Sequence, residues 1–151
     1  MEEKYRYPNL TFTGKIKECH LVNPSEKILG SGKQINEYSV VFEFDKEEDR
    51  NQFEKCVKTV CEDEWGEVPQ ELSPTTYCQN GKYYLQAVSQ YKCLYYKSAY
   101  SWKWEKECPY SDEELAGRNA ALTLKFKAFT GKYKRWVIPK IVRVVISENQ
   151  A

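Results

Sequence analysis

The chain has 151 residues, with 23 basic and 22 acidic side chains for a net charge of +1, and it is 41% hydrophobic and 15% aromatic. That is enough apolar material to bury a core in one domain spanning 1–151, and too much for a disordered tail. The balanced charge excludes a uniformly basic polyanion binder, so any basic surface must be local and offset by acid elsewhere.

Asn9–Val22 reads as a long strand in which Leu10, Phe12, Ile16 and Leu21 keep no single parity, so Gly14 is expected to mark a bulge. Asn23–Asn36, with Pro24 and the glycines of Gly30–Gly32, reads as a loop. Its Lys27 and Lys33 could approach a ligand backbone, although a long hairpin connection explains them as simply. Glu37–Phe44 alternates, with Tyr38, Val40, Phe42 and Phe44 on one face. Asp45 can cap a helix over Lys46–Trp65, where Phe53, Cys56, Val57, Val60, Cys61 and Glu64 follow three-and-four spacing. Glu47, Glu48 and Asp49 suit its first turn, and Gly66 and Pro69 stop it. Its exposed side is acidic and is expected to face away from any polyanion.

Val68–Lys82 is irregular and ends in a turn at Gln79-Asn80-Gly81. Lys82–Tyr96 reads as one strand, with Tyr83, Leu85, Ala87, Tyr91, Cys93 and Tyr95 on one face. Ser98–Gly117 is less regular, with a helical turn after Ser111. Asn119–Phe129 alternates strictly: Ala120, Leu122, Leu124, Phe126 and Ala128 point one way, and Thr123, Lys125, Lys127 and Phe129 the other. Thr130–Lys132 turns the chain into Tyr133–Ile146, where Pro139 predicts an edge or a bulge. Ile141–Ile146 is apolar on both faces apart from Arg143, as a central strand requires. The sum is an α+β chain, mainly β: a partly open antiparallel barrel of the OB type with one inserted helix at about 46–65. A flat sheet with a helix on one side is the alternative.

Catalytic chemistry is poorly represented. There is no P-loop, no G-x-S-x-G and no H-x-x-x-H, and the single histidine, His20, reads as a strand residue. The acidic runs Glu43–Asp49 and Glu62–Glu67 could serve a metal-dependent nuclease only if several carboxylates converged, and a solvated helix face is the simpler account. The six cysteines have no C-x-x-C spacing, and the start of the chain has no apolar export region. Reduced, mostly buried thiols and no metal or other cofactor are therefore expected. No apolar run approaches the ~18 residues of a membrane span, so a soluble intracellular protein is expected.

Binding chemistry is abundant. Leu122–Arg143 contains no carboxylate but carries Lys125, Lys127, Lys132, Lys134, Arg135, Lys140 and Arg143, while Asp45–Glu67 is dominated by acid. Tyr91–Lys106 interleaves Tyr91, Tyr95, Tyr96, Tyr100, Trp102 and Trp104 with Lys92, Lys97, Lys103 and Lys106. If extended, it places Tyr96, Tyr100, Trp102 and Trp104 on one face and Lys97 and Lys103 on the other. Rings beside cations either pack a core or stack unpaired bases and hold their phosphates. Twelve tyrosines exceed what a core of this size needs, since each buried hydroxyl requires a partner. Candidate nucleic-acid contacts are therefore Lys15, Lys17, Lys92, Tyr95, Lys97, Tyr100, Trp102, Lys103, Trp104, Lys125, Lys127, Phe129, Lys132, Tyr133, Lys134, Arg135 and Trp136. A protein-interaction module, such as an inhibitor or assembly factor using the Tyr/Trp surface, is the alternative of a different class.

The order of features resembles the phage-encoded OB-fold single-stranded-DNA-binding proteins. Y-S-V-V-F-E-F followed by D-K-E-E-D-R-N-Q-F-E-K-C-V-K-T-V resembles their strand and inserted helix. G-R-N-A-A-L-T-L-K-F-K-A-F (Gly117–Phe129) and K-R-W-V-I-P-K-I-V-R-V-V-I (Lys134–Ile146) resemble their final hairpin. The resemblance covers Glu37–Ile146 in order and implies sequence-independent binding of unpaired DNA in replication or recombination, without catalysis. On motif position Lys125, Lys127, Phe129, Tyr133 and Trp136 carry it. The resemblance also implies replication or recombination proteins as partners, although the acidic tail with which many members contact them is represented here, after the last strand, only by Glu148.

Overall fold

The computed structural model describes residues 9–72, 76–97 and 108–147. Its elements are β1 (Leu10–Ile28), β2 (Gln34–Phe44), α1 (Glu47–Trp65), β3 (Thr76–Gln79), β4 (Lys82–Ser89), β5 (Leu94–Lys97), α2 (Asp112–Leu115), β6 (Asn119–Thr130) and β7 (Arg135–Ser147). The antiparallel pairs β1–β2, β2–β4, β1–β6 and β6–β7 curl into a barrel that a parallel bridge, Val88 with Lys140, closes between β4 and β7. The barrel order β1-β2-β4-β7-β6 is that of an OB-type barrel. β3 extends β4, and β5 runs parallel to the end of β7.

Alternation builds the core. Leu122, Leu124 and Phe126 of β6 are buried inward, as are Val40, Phe42 and Phe44 of β2. Helix α1 closes one end by placing Phe53 among Phe12, Phe44 and Phe126, with ring centroids 6.2, 5.8 and 5.5 Å apart. Each such ring contributes about 1.5–3 kcal/mol by leaving water. Gly66 ends the helix in the left-handed conformation at φ 74°, as its sequence position predicts. The N-cap is Lys46, without a side-chain bond, and not Asp45.

Four expectations are corrected by long-range contacts. Gly14 marks no bulge: a Cβ there would lie 2.1 Å from the Glu43 carbonyl oxygen, so glycine permits close approach of β2. The bulges fall at Lys17 and in Leu21–Pro24, which oppose only Tyr38. The loop expected at Asn23–Asn36 shrinks to a turn at Leu29–Lys33, because β1 continues past its bulge to Ile28. What carries it is Asp112 of α2, whose carboxylate accepts the backbone N–H groups of Leu21, Val22 and Asn23 at 2.9, 2.9 and 3.0 Å. Burial raises the Asp112 pKa, but these bonds and that from Cys19 outweigh it and hold the carboxyl below its ordinary range.

The strand expected at Lys82–Tyr96 is two strands. Ser89 Oγ accepts from the Tyr91 N–H at 3.0 Å and donates to its carbonyl at 2.9 Å, and this turn redirects the chain to β7. Parity then flips, so Leu94 and Tyr96 are buried and Tyr95 is half-exposed. The irregular stretch before Lys82 contains β3, paired through the Asn80-Gly81 turn, whose φ angles of 54° and 77° fit a two-residue hairpin. Pro139 sits within β7 opposite Phe126, and the bulge there falls at Val142. All six cysteines are free thiols; burial pushes Cys19 and Cys93 up to about 12. Among the described residues no helix is long and apolar enough to cross a membrane.

Candidate nucleic-acid interface

The β6–β7 hairpin turns one face into the barrel and the other outward. Its outward cross-strand pairs are Lys125 with Lys140, Lys127 with Ile138, and Phe129 with Trp136. The Phe129 and Trp136 rings are stacked, with centroids 5.6 Å apart and planes at 15°. Lys127 Nζ lies 5.4 Å from the Phe129 centroid, and Lys134 Nζ 5.8 Å from that of Trp136. The turn that follows carries Lys132 and Tyr133, 5.3 Å from ammonium to ring centroid, and Tyr133 is 85% exposed. Gly131 is required here because a Cβ would meet Trp136 Cζ3 at 2.9 Å. Stacked rings bordered by ammonium groups offer a π-face to a base and charge to its phosphates.

Lys140 extends the basic surface inward from the turn. Burial lowers its pKa first, then the charges of Lys127, Lys27 and Lys125; Glu37 opposes them. Lys27, from the far end of β1, is ion-paired to Glu37 at 3.4 Å. The charges of Lys27 and Glu37, from the β1–β2 arm, therefore act on Lys140 together with those of Lys127 and Lys125 from the hairpin.

Arg135 belongs to the same hairpin but points to the acid. It donates to Glu71 at 2.9 Å and to Glu67 at 3.3 Å, and its guanidinium lies 5.6 Å from the Trp65 ring. Trp65 Nε1 donates to Thr130 Oγ1 at 2.9 Å. Trp65 and the acidic segment that follows α1 thus hold the turn end of the hairpin, through Glu67 and Glu71 rather than through carboxylates of the helix itself.

The remaining candidates are scattered. Lys15 and Lys17 lie on the outer face of β1, and Lys17 rests on Tyr77 and Tyr84. Lys92 is exposed in the turn after β4. Tyr95 and Lys97 face outward on β5, where Tyr95 lines a shallow depression with Val142, Arg143 and Val145. Tyr100, Trp102, Lys103 and Trp104 lie outside the described residues. Sequence reasoning missed Lys140 as a site residue. The alternation Trp136, Ile138, Lys140 carries it to the outer face, but the proline between the last two hides the pattern.

No family profile matches the sequence, and no curated protein matches it. Solved structures do. The single-stranded DNA-binding protein of bacteriophage Enc34, solved in complex with single-stranded DNA, superposes with a TM-score of 0.66 at 12% identity, covering 95% of this chain and 88% of that one. Gp2.5, a single-stranded DNA-binding protein encoded by bacteriophage T7, gives a TM-score of 0.62 at 13% identity, over 96% of this chain and 93% of that one. The chain therefore has the OB-type barrel fold found in single-stranded-DNA-binding proteins of phages.

Proposed function

We propose that this chain binds single-stranded DNA without reading its sequence, by base stacking and lysine–phosphate contacts. The observation that carries this reading is the outward Phe129–Trp136 stack, bordered by Lys127 and Lys134. Lys125, Lys132, Tyr133 and Lys140 extend the contact. Arg135 is a positioning residue in this scheme, since its guanidinium is already engaged by Glu67 and Glu71. The likeness to phage proteins that bind single-stranded DNA supports the ligand class.

The role is non-enzymatic, performed by one domain spanning 1–151 inside a cell, in replication or recombination. Free base faces exist only in unpaired strands, so duplex of equal length binds far more weakly. Intrinsic tryptophan fluorescence reports it directly, because Trp136 lies in the stack. Titration with poly(dT) and with duplex at two salt concentrations should show tight, strongly salt-dependent binding of the single strand alone. Equal affinity for both would replace this mechanism with a generic basic patch.

A further inference from the structure

A second assembly of rings and a cation stands on the outer face. Tyr77 of β3 and Tyr84 of β4 are cross-strand partners whose rings stack with centroids 5.2 Å apart and planes at 26°. Lys17 reaches over β2 to them, its Nζ 4.5 Å from the Tyr84 centroid and 5.7 Å from that of Tyr77, and it donates to Gln79 Oε1. The bulge in β1 makes this reach possible, because it gives the outer face two successive side chains, Lys17 and Glu18, between the inward Ile16 and Cys19. Tyr77 is 43% exposed and adds nothing to the core.

The topology sets this assembly beside the first. The outer edge of β4 is divided: Lys82–Leu85 pairs with β3, and Val88 pairs with Lys140 of β7. The β3–β4 and β6–β7 hairpins thus flank one seam of the barrel, and both carry a stacked ring pair on the outer face, with Tyr77 lying over the buried Tyr84. Tyr84 is buried and Tyr77, stacked on it, is the exposed ring of the pair, which makes Tyr77 the one that can meet a planar ligand, with the Lys17 ammonium close by for an anion.

We propose that Tyr77 and Lys17 form a second stacking and phosphate station, so that one DNA strand crosses the seam between Phe129–Trp136 and Tyr77–Tyr84. This rests on the single-strand reading above. A two-station path has a signature that one station lacks: dependence on strand length. A short oligonucleotide fills one station, whereas a longer one engages both and gains the effective concentration of a linked site.

The test is fluorescence anisotropy with labelled oligothymidylates of ~6 and ~20 nucleotides, lengths that bracket OB-fold site sizes. Tyr77→Ala with Lys17→Ala should weaken the longer strand by about tenfold and leave the shorter within about twofold of wild type. Tyr77→Trp should retain or strengthen the longer strand, with melting curves confirming that each variant is folded. Unchanged affinity for the longer strand in the folded double variant overturns the second station, as does an equal loss at both lengths. Wild-type protein that binds neither oligonucleotide overturns the single-strand reading itself, a result visible before any variant is made.

Discussion

Replacing Lys127 and Lys140 together with methionine separates binding charge from folding charge. Both ammonium groups stand on the outer face of the hairpin, and methionine keeps most of the stem while removing the charge. Burial lowers the Lys140 pKa, with Lys127 and its other lysine neighbours adding to the effect. A lysine whose folded pKa is depressed binds its proton less readily when folded than when unfolded. At neutral pH its charge therefore opposes folding, and the opposition fades as pH rises through the folded value. The double variant should melt at the same temperature as wild type or higher. Single-strand binding should weaken, and its salt slope should flatten by about 0.7 per phosphate contact, about 1.4 for the pair. Between 50 and 200 mM salt the wild type should then lose about sevenfold more affinity than the variant. Poly(dT) titrations of tryptophan fluorescence across that range measure the slope, and thermal melts measure stability. A folded variant with an unchanged slope would refute the placement of phosphates on this face.

Three further outcomes follow from the same geometry. Phe129→Ala should cost roughly 1–3 kcal/mol of single-strand binding by removing one ring of the stack, with little change in melting temperature. Leu124→Ala, directed into the barrel where Leu124 is fully buried, should cost about 2–5 kcal/mol in denaturant unfolding and leave the salt slope unchanged. Asp112→Asn should lose roughly 1–3 kcal/mol at neutral pH, since its carboxylate serves three backbone N–H groups. Because the folded pKa of Asp112 is depressed, that stability is present above the unfolded value of ~3.9 and lost as pH falls through the folded one. Urea melts between pH 7 and pH 3 should therefore show wild type converging on the variant.

What was legible in the sequence is what local alternation encodes. The two faces of β6 could be read residue by residue, because Leu122, Leu124 and Phe126 alternate with Thr123, Lys125 and Lys127 and no bulge interrupts β6 itself. Helix α1 was equally plain from its spacing and from Gly66. The failures share one cause, a partner remote in sequence. β1 extends through Asn23 and Pro24 because Asp112, about 90 residues onward, supplies acceptors that no neighbouring strand provides. β3 is only Thr76–Gln79 and owes its existence to pairing with β4. Lys140 reaches the outer face of the hairpin, opposite Lys125, through a strand whose alternation is masked by Pro139. The ion pairs of Arg135 are equally hidden, because Glu71 and Glu67 lie 64 and 68 residues away.

That last pairing also explains how a near-neutral chain can hold a strongly basic hairpin. Leu122–Arg143 has no carboxylate of its own, so its cations repel one another and nothing within the hairpin offsets them. The acid comes from Glu67 and Glu71, in the segment after α1, and both engage one side chain. Hydrogen bonding with Arg135 is the main cause that holds the Glu71 carboxyl below its ordinary range. The contact is solvent-exposed and screened by salt, so its consequence is geometric more than energetic. It fixes the first residue of β7, and Trp136 follows immediately, packed beneath Gly131 and stacked on Phe129. Acid placed among the lysines would compete with phosphate, whereas acid on Arg135 steadies the ring platform from behind. Glu37 is the other acid that acts here: it is ion-paired to Lys27 at 3.4 Å, and its charge opposes the lysines that lower the Lys140 pKa.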